Sequence, residues 1–190
     1  MVSDCRGLSE HRRGLAVQRP TLLFTDLKGS TALYDRIGDL KAFDLVRMHF
    51  GHLRGCISRN AGAPVKTIGD AVMADFVDPL DALRAALEMR DEIARFNAGS
   101  GEDLIGLKVG VHSGACLAVT LNDRLDYFGQ TVNVAARVQG LADAGEVVIT
   151  DDVLSVPGAE DLVTGLEIVP DNAELRGVVE AVRVHRLRGP

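Results

Sequence analysis

Residues 65–76 read VKTIGDAVMADF, and the pattern of this stretch decides how the rest of the chain is understood. Val65–Ile68 and Val72–Phe76 predict two short strands joined over a tight turn at Gly69-Asp70. A glycine opening a two-residue loop suits a hairpin turn of the primed type. Lys66 sits inside a strand run, where its charged head must reach solvent, a carboxylate or a ligand. Asp70 stands at the turn, where simple turn preference would also put it. Neither residue alone implies a function.

Upstream, Thr21–Phe24 predicts a short apolar strand that runs at once into Thr25-Asp26-Leu27-Lys28-Gly29-Ser30-Thr31. An acid at a strand tip, followed by Gly-Ser-Thr at the start of a helix, is an arrangement that can hold phosphate. The unpaired N–H groups of the first helical turn face the anion. Ser30 or Thr31 would serve equally as an ordinary N-cap. The Walker pattern, in which Gly-Lys-Ser/Thr follows four intervening residues, is absent. From Leu40 to Ile57, the residues Phe43, Val46, Phe50, Leu53 and Ile57 recur at three- and four-residue steps and predict a long amphipathic helix. His49 and His52 are expected on its exposed positions.

Downstream, Asp78-Pro79 opens a helix with Asp as N-cap and Pro in the first turn. Leu80, Leu83, Leu87 and Ile93 mark its buried stripe, and it ends near Asn97–Gly101. Glu88, Arg90, Asp91, Glu92 and Arg95 read as its solvated face. Leu107–His112 and Ala115–Leu121 predict a strand pair around Ser113-Gly114, with His112 in a structural role. A helix over Thr131–Gly140 puts Asn133 and Arg137 on one face, four residues apart. There a planar donor fork and an amide can meet one ligand, although a surface Arg beside an Asn is common. Val147–Ile149 predicts a strand, residues 150–172 irregular structure, and Val182–Leu187 a closing strand.

A chain of 190 residues with 46% hydrophobic residues has room for one domain with a proper core. Its net charge of −6 argues against a general nucleic-acid binder, but not against a nucleotide substrate. Cys5, Cys56 and Cys116 are odd in number and far apart, as expected of reduced thiols in a cytoplasmic protein. No apolar run reaches membrane-spanning length, so no membrane contact is expected of this domain. Residues 1–19 read as a linker or N-terminal extension. Antiparallel strands with helices packed on one face predict an α+β fold with a ferredoxin-like antiparallel sheet.

The residues now in view resemble the class III adenylate/guanylate cyclase catalytic domain. FTDLKGST at 24–31 and KTIGDAVMADF at 66–76 look like its two metal segments. KVGVHSG at 108–114 and DYFGQTVNVAAR at 126–137 look like its base-reading and transition-state segments. ELRGVVEAVRVHRL at 174–187 resembles its closing strand. The likeness covers residues 20–188 and implies the class III cyclase fold. It also implies conversion of ATP to 3′,5′-cyclic AMP and pyrophosphate with two divalent cations, Mg2+ or Mn2+.

By the same resemblance, Asp26 and Asp70 are metal ligands, helped by the backbone carbonyl of Leu27. Lys28, Gly29, Ser30 and Thr31 form the phosphate-binding turn. Lys66 and Asp126 contact the purine, Asn133 orients the ribose, and Arg137 steadies the pentavalent phosphorus. A donor and an acceptor at Lys66 and Asp126 suit adenine's ring nitrogen and exocyclic amine. Guanylate cyclases of the family usually carry Glu and Cys-like residues there. The family divides these sets between subunits, so a head-to-tail homodimer is implied, with an upstream sensor domain in a longer chain. The expected location is the cytoplasm. The alternatives are a guanylate cyclase and a catalytically silent nucleotide-binding or dimerisation module; silent relatives usually lose a metal Asp or the Arg. Arg176 is the nearest match to a basic residue that contacts phosphate in the family.

Overall fold

The computed structural model describes residues 15–100, 105–121 and 124–189, leaving Cys5 and the rest of residues 1–14 outside the described residues. In chain order the elements begin with β1 (Leu15–Gln18), β2 (Thr21–Lys28), α1 (Ser30–Ile37), α2 (Asp39–Arg59), β3 (Ala63–Ile68), β4 (Ala71–Phe76), α3 (Pro79–Ser100) and β5 (Gly106–Ser113). They continue with β6 (Cys116–Leu121), β7 (Arg124–Phe128), α4 (Gln130–Leu141), β8 (Val147–Thr150), α5 (Asp151–Leu154), α6 (Ala159–Leu162), β9 (Glu167–Ala173) and β10 (Val182–Arg188). Seven strands form one sheet in the order β3-β4-β2-β5-β8-β10-β9, and β1-β6-β7 form a second. All pairs are antiparallel except β5 with β8.

Alternation along the strands makes two cores. Leu23 and Leu27 of β2, with Val109 and Val111 of β5 and Val147 and Ile149 of β8, pack under α1, α2 and α3. Leu22, Phe24 and Met73 face the other way and pack with Cys116, Ala118, Tyr127 and Ala135. Val134 and Val138 of α4 meet Val148 and Val184 on that second face. Helices therefore cover both faces of the large sheet, not the single face expected from the element order. Gly110 lets α4 approach closely: a Cβ there would lie 2.2 Å from the Gln139 nitrogen.

Several local expectations change. β5 and β6 do not pair. Both edges of β5 are already taken by β2 and β8, so after Ser113 the chain leaves for the second sheet. Leu15–Gln18, read as part of a lead-in, is a strand paired with β6. Residues 150–172 hold α5, α6 and most of β9, which takes the sheet edge outside β10. On α2, Phe43 is exposed while His49 is fully buried, because the inner stripe runs through Ala42, Leu45, Val46, His49, Leu53 and Cys56. The charges of α3 are only partly a solvated face. Glu88 and Glu92 reach across to α2, where Arg59 donates to both at 2.7 and 2.8 Å. Asp78 caps α3 as expected, its Oδ1 accepting the Leu80 N–H at 2.9 Å.

Candidate active site

The β3–β4 hairpin turns at Gly69-Asp70. Gly69 has φ +63° and no other turn residue has a positive φ, as a type II′ turn requires. Next to it, the buried Thr25 hydroxyl accepts the Val72 N–H at 3.1 Å and ties the hairpin base to β2. The tie brings Asp70 beside Asp26, which stands one residue after Thr25 on the opposite sheet face. The two carboxylates interact: burial first, then the negative charge of Asp70, raises the Asp26 pKa above the ordinary carboxylate value. Lys108, directly across the β2–β5 ladder from Asp26, and the Leu27 N–H work in the opposite direction.

Asp70 Oδ2 is buried and has no hydrogen-bond partner among the described residues. An orphaned carboxylate oxygen next to a second, repelled carboxylate is a donor set suited to a hard divalent cation. Cys56, Glu88 and Glu92 form another grouping of metal-type side chains, with ligand atoms within 4.8 Å of one another. There the cation is already supplied by Arg59, and burial followed by the bond to Glu92 pushes the Cys56 thiol up to about 12.

Leu27 itself is a core residue, 5% exposed. Lys28 ends β2 and donates to Asp143 at 3.1 Å. Gly29, at φ +74°, caps α1, whose backbone starts with Ser30 and Thr31. Lys66 on β3 and Asp126 on β7 meet, the Lys66 ammonium donating to both carboxylate oxygens at 2.8 and 2.7 Å. Asp126 Oδ1 also accepts the Tyr127 N–H, and the Tyr127 hydroxyl donates to Asp75 on β4, so β7 is braced against the hairpin.

On α4, Asn133 is exposed. Arg137 Nη1 is buried without a hydrogen-bond partner among the described residues. The Gly177 carbonyl, in the turn that carries the exposed Arg176, accepts from Gln130 at the start of α4. Among the described residues, no hydrogen bond or ion pair joins Lys66, Asp126, Asn133 or Arg137 to Asp26 or Asp70. His112 is structural, its Nδ1 lying 2.9 Å from the Thr150 hydroxyl.

Sequence reasoning missed Thr25, Lys108 and Tyr127. Thr25 was findable as a hydroxyl inside an apolar strand beside an acid. The other two depend on cross-strand register, which no local pattern gives. The family model for the adenylate and guanylate cyclase catalytic domain matches residues 16–178.

This chain belongs to that family.

A receptor-type adenylate cyclase, GRESAG 4.1 of Trypanosoma brucei brucei, is 28% identical over 88% of the cyclase-family chain. The pH-sensitive adenylate cyclase MT1302 of Mycobacterium tuberculosis is 32% identical, again over 88%. The chain spans only 16% and 40% of these two relatives. A solved structure of Trypanosoma brucei adenylate cyclases in their monomeric state superposes with a TM-score of 0.75 at 27% identity, covering 89% of this chain and 87% of that one. The fold is that of the class III cyclase domain, and no described helix is long and apolar enough to cross a membrane.

Proposed function

We propose that this domain is an adenylate cyclase that closes ATP to 3′,5′-cyclic AMP at sites shared between two copies of the chain. The observation that carries the reading is the preassembled Lys66–Asp126 pair, which makes no hydrogen bond or ion pair to Asp26 or Asp70 among the described residues. The pair offers adenine a donor for N1 and an acceptor for the exocyclic amine. Each half of a nucleotide then finds its partner residues on a different subunit.

In this reading, Asp26, Asp70 and the Leu27 carbonyl would hold two divalent cations, Mg2+ or Mn2+. When bound there, the cations lower the pKa of the 3′-hydroxyl and neutralise charge on the departing pyrophosphate. The N–H groups at the start of α1, from Lys28 through Thr31, take the outer phosphates. Asn133 holds the ribose so that its 3′-oxygen faces the α-phosphorus. That oxygen forms the new O–P bond as the bond to the β-phosphate bridge breaks, and the hydroxyl proton leaves to solvent. Arg137 brings positive charge to the phosphoryl oxygens as the transition state forms, a contact worth about 2.7–4 kcal/mol when a donor is preorganised. Its unpartnered Nη1 supports that role.

The second sheet supports the dimer. Its register puts Leu15, Val17, Leu117 and Phe128 on one face together with Asp126. These apolar residues are all exposed, Val17 at 75%. An apolar patch around a base-reading residue fits a subunit interface. An upstream sensor in a longer chain and a cytoplasmic location belong to the same reading. The test is product formation from ATP and GTP, with Mn2+ and with Mg2+, across a range of protein concentration. Cyclic AMP rising more steeply than protein concentration is expected. No cyclic product from either nucleotide, in a chain shown to be dimeric, would overturn the assignment.

A further inference from the structure

A cavity of about 730 Å3 opens between α1, the C-terminal half of α3, the start of β5 and the turn at Ala144-Gly145. That volume lies within the range of about 300–1,000 Å3 usual for small-molecule sites. It lies on the sheet face that packs against α1 and α3, whereas Asp26 belongs to the face shared with Leu22 and Phe24. The cavity is therefore distinct from the cluster proposed to hold the cations. The two share one structural wall, because Lys28 and Gly29 lead into α1, which lines the cavity with Ala32, Leu33 and Arg36.

The chemistry of the lining is divided. Leu33, Ile93, Ile105 and Leu107 are core residues that give it an apolar floor. Among the described residues, Lys28, Arg36 and Arg90 bring three cations to it, against the single carboxylate of Asp91. Arg90 is the unusual member. Its side chain is only 11% exposed, and Nε and Nη2 donate to Asp91 at 2.8 and 2.7 Å. Its Nη1 is buried with no hydrogen-bond partner among the described residues. Arg36 is exposed and makes no ion pair among the described residues. The open Nη1 of Arg90 and the unpaired Arg36 beside an apolar floor suit an anion carried on a hydrocarbon body.

We propose that this cavity binds an amphipathic monoanion, a carboxylate carried on an apolar chain or ring system. The carboxylate would sit at Arg36 and Arg90, and the apolar body would lie on Leu33, Ile93 and Leu107. A ligand there presses on α1 from behind the turn assigned to phosphate binding.

Dodecanoate is the probe, titrated calorimetrically into the full chain below its micelle concentration and without nucleotide. The expected result is saturable binding of one dodecanoate per chain. Dodecanol should bind at least about tenfold more weakly, as should dodecanoate to Arg36→Gln or Arg90→Gln. Ala94→Phe, which fills the cavity from an exposed position on α3, should abolish binding while circular dichroism stays unchanged. Binding that does not saturate, that survives Ala94→Phe, or that is equal for the acid and the alcohol would overturn the proposal. The readout is independent of turnover, so it succeeds or fails separately from the cyclase assignment.

Discussion

Lys66 and Asp126 are sixty positions apart in the chain, yet the ammonium of one lies within 2.8 Å of both carboxylate oxygens of the other. The contact joins the hairpin of the large sheet to the edge strand of the small one. Each side chain holds the other in place while leaving unused hydrogen-bonding capacity: one further N–H donor on Lys66 and remaining lone pairs on Asp126. Removing either should therefore harm selectivity more than folding. Lys66→Ala and Asp126→Ala are each expected to lower kcat/KM for ATP by about tenfold to a hundredfold, with little change in melting temperature. The check is the ratio of kcat/KM for ATP and GTP. An unchanged ratio would remove the pair from base recognition.

The shared-site reading makes a sharper prediction. In that reading Asp70→Ala and Arg137→Ala damage different halves of one site, so each variant alone should be inactive. Mixed in equal amounts, half of the dimers carry one intact site. Activity should then return to roughly a quarter of the wild-type level. A mixture that stays inactive, although subunit exchange is demonstrated, would mean that each site is built within one chain.

His49 predicts an acid limb in stability. Burial lowers its pKa to about 4; the Asp70 charge acts in the opposite sense, and His52 lowers it further. Both ring nitrogens lack hydrogen-bond partners among the described residues. In the unfolded chain it titrates near pH 6.5, so between these values the unfolded state binds more protons. Stability is therefore full above about pH 6.5 and falls as the pH drops toward 4. The loss should be about 2 kcal/mol between pH 7.5 and pH 5. His49→Phe should remove that part of the pH dependence, because a similar ring fills the space without titrating. Urea unfolding at the two pH values measures it. A variant as acid-sensitive as the wild type would mean that other groups control the limb.

Gly110 links packing to turnover. An alanine there would put its Cβ 2.2 Å from the backbone nitrogen of Gln139 and 2.3 Å from its Cα, so the helix must give way. Gly110→Ala should cost about 1–3 kcal/mol of stability. It should also displace Asn133 and Arg137 on the same helix, and misplacement by about 1 Å can cost about a hundredfold in rate. Thermal melting and kcat, measured together below the shifted melting temperature, separate the two effects.

The legible parts of this chain were those governed by local rules. The Gly69-Asp70 turn, the Asp78 cap and the helix that sets Asn133 and Arg137 four residues apart each depend on a few neighbouring residues. They were found within a residue or two. His49 was misplaced because a histidine among polar neighbours gives no sign of which stripe of α2 is buried. That choice is made by α3 and the sheet. The supposed β5–β6 pairing failed for a similar reason: local alternation identifies a strand but not whether its edges are already occupied. The approach of Asp70 to Asp26 follows from a register fixed by the Thr25 hydroxyl. The family resemblance suggested it, and no spacing could.

The strand at Leu15–Gln18 has a mechanical consequence. It is laid against β6, and β6 is laid against β7, which carries Asp126. Tension or rotation in any segment joined ahead of Leu15 would travel through two hydrogen-bonded ladders before reaching the residue paired with Lys66. The chain enters the fold in series with the strand that carries the proposed base-reading carboxylate.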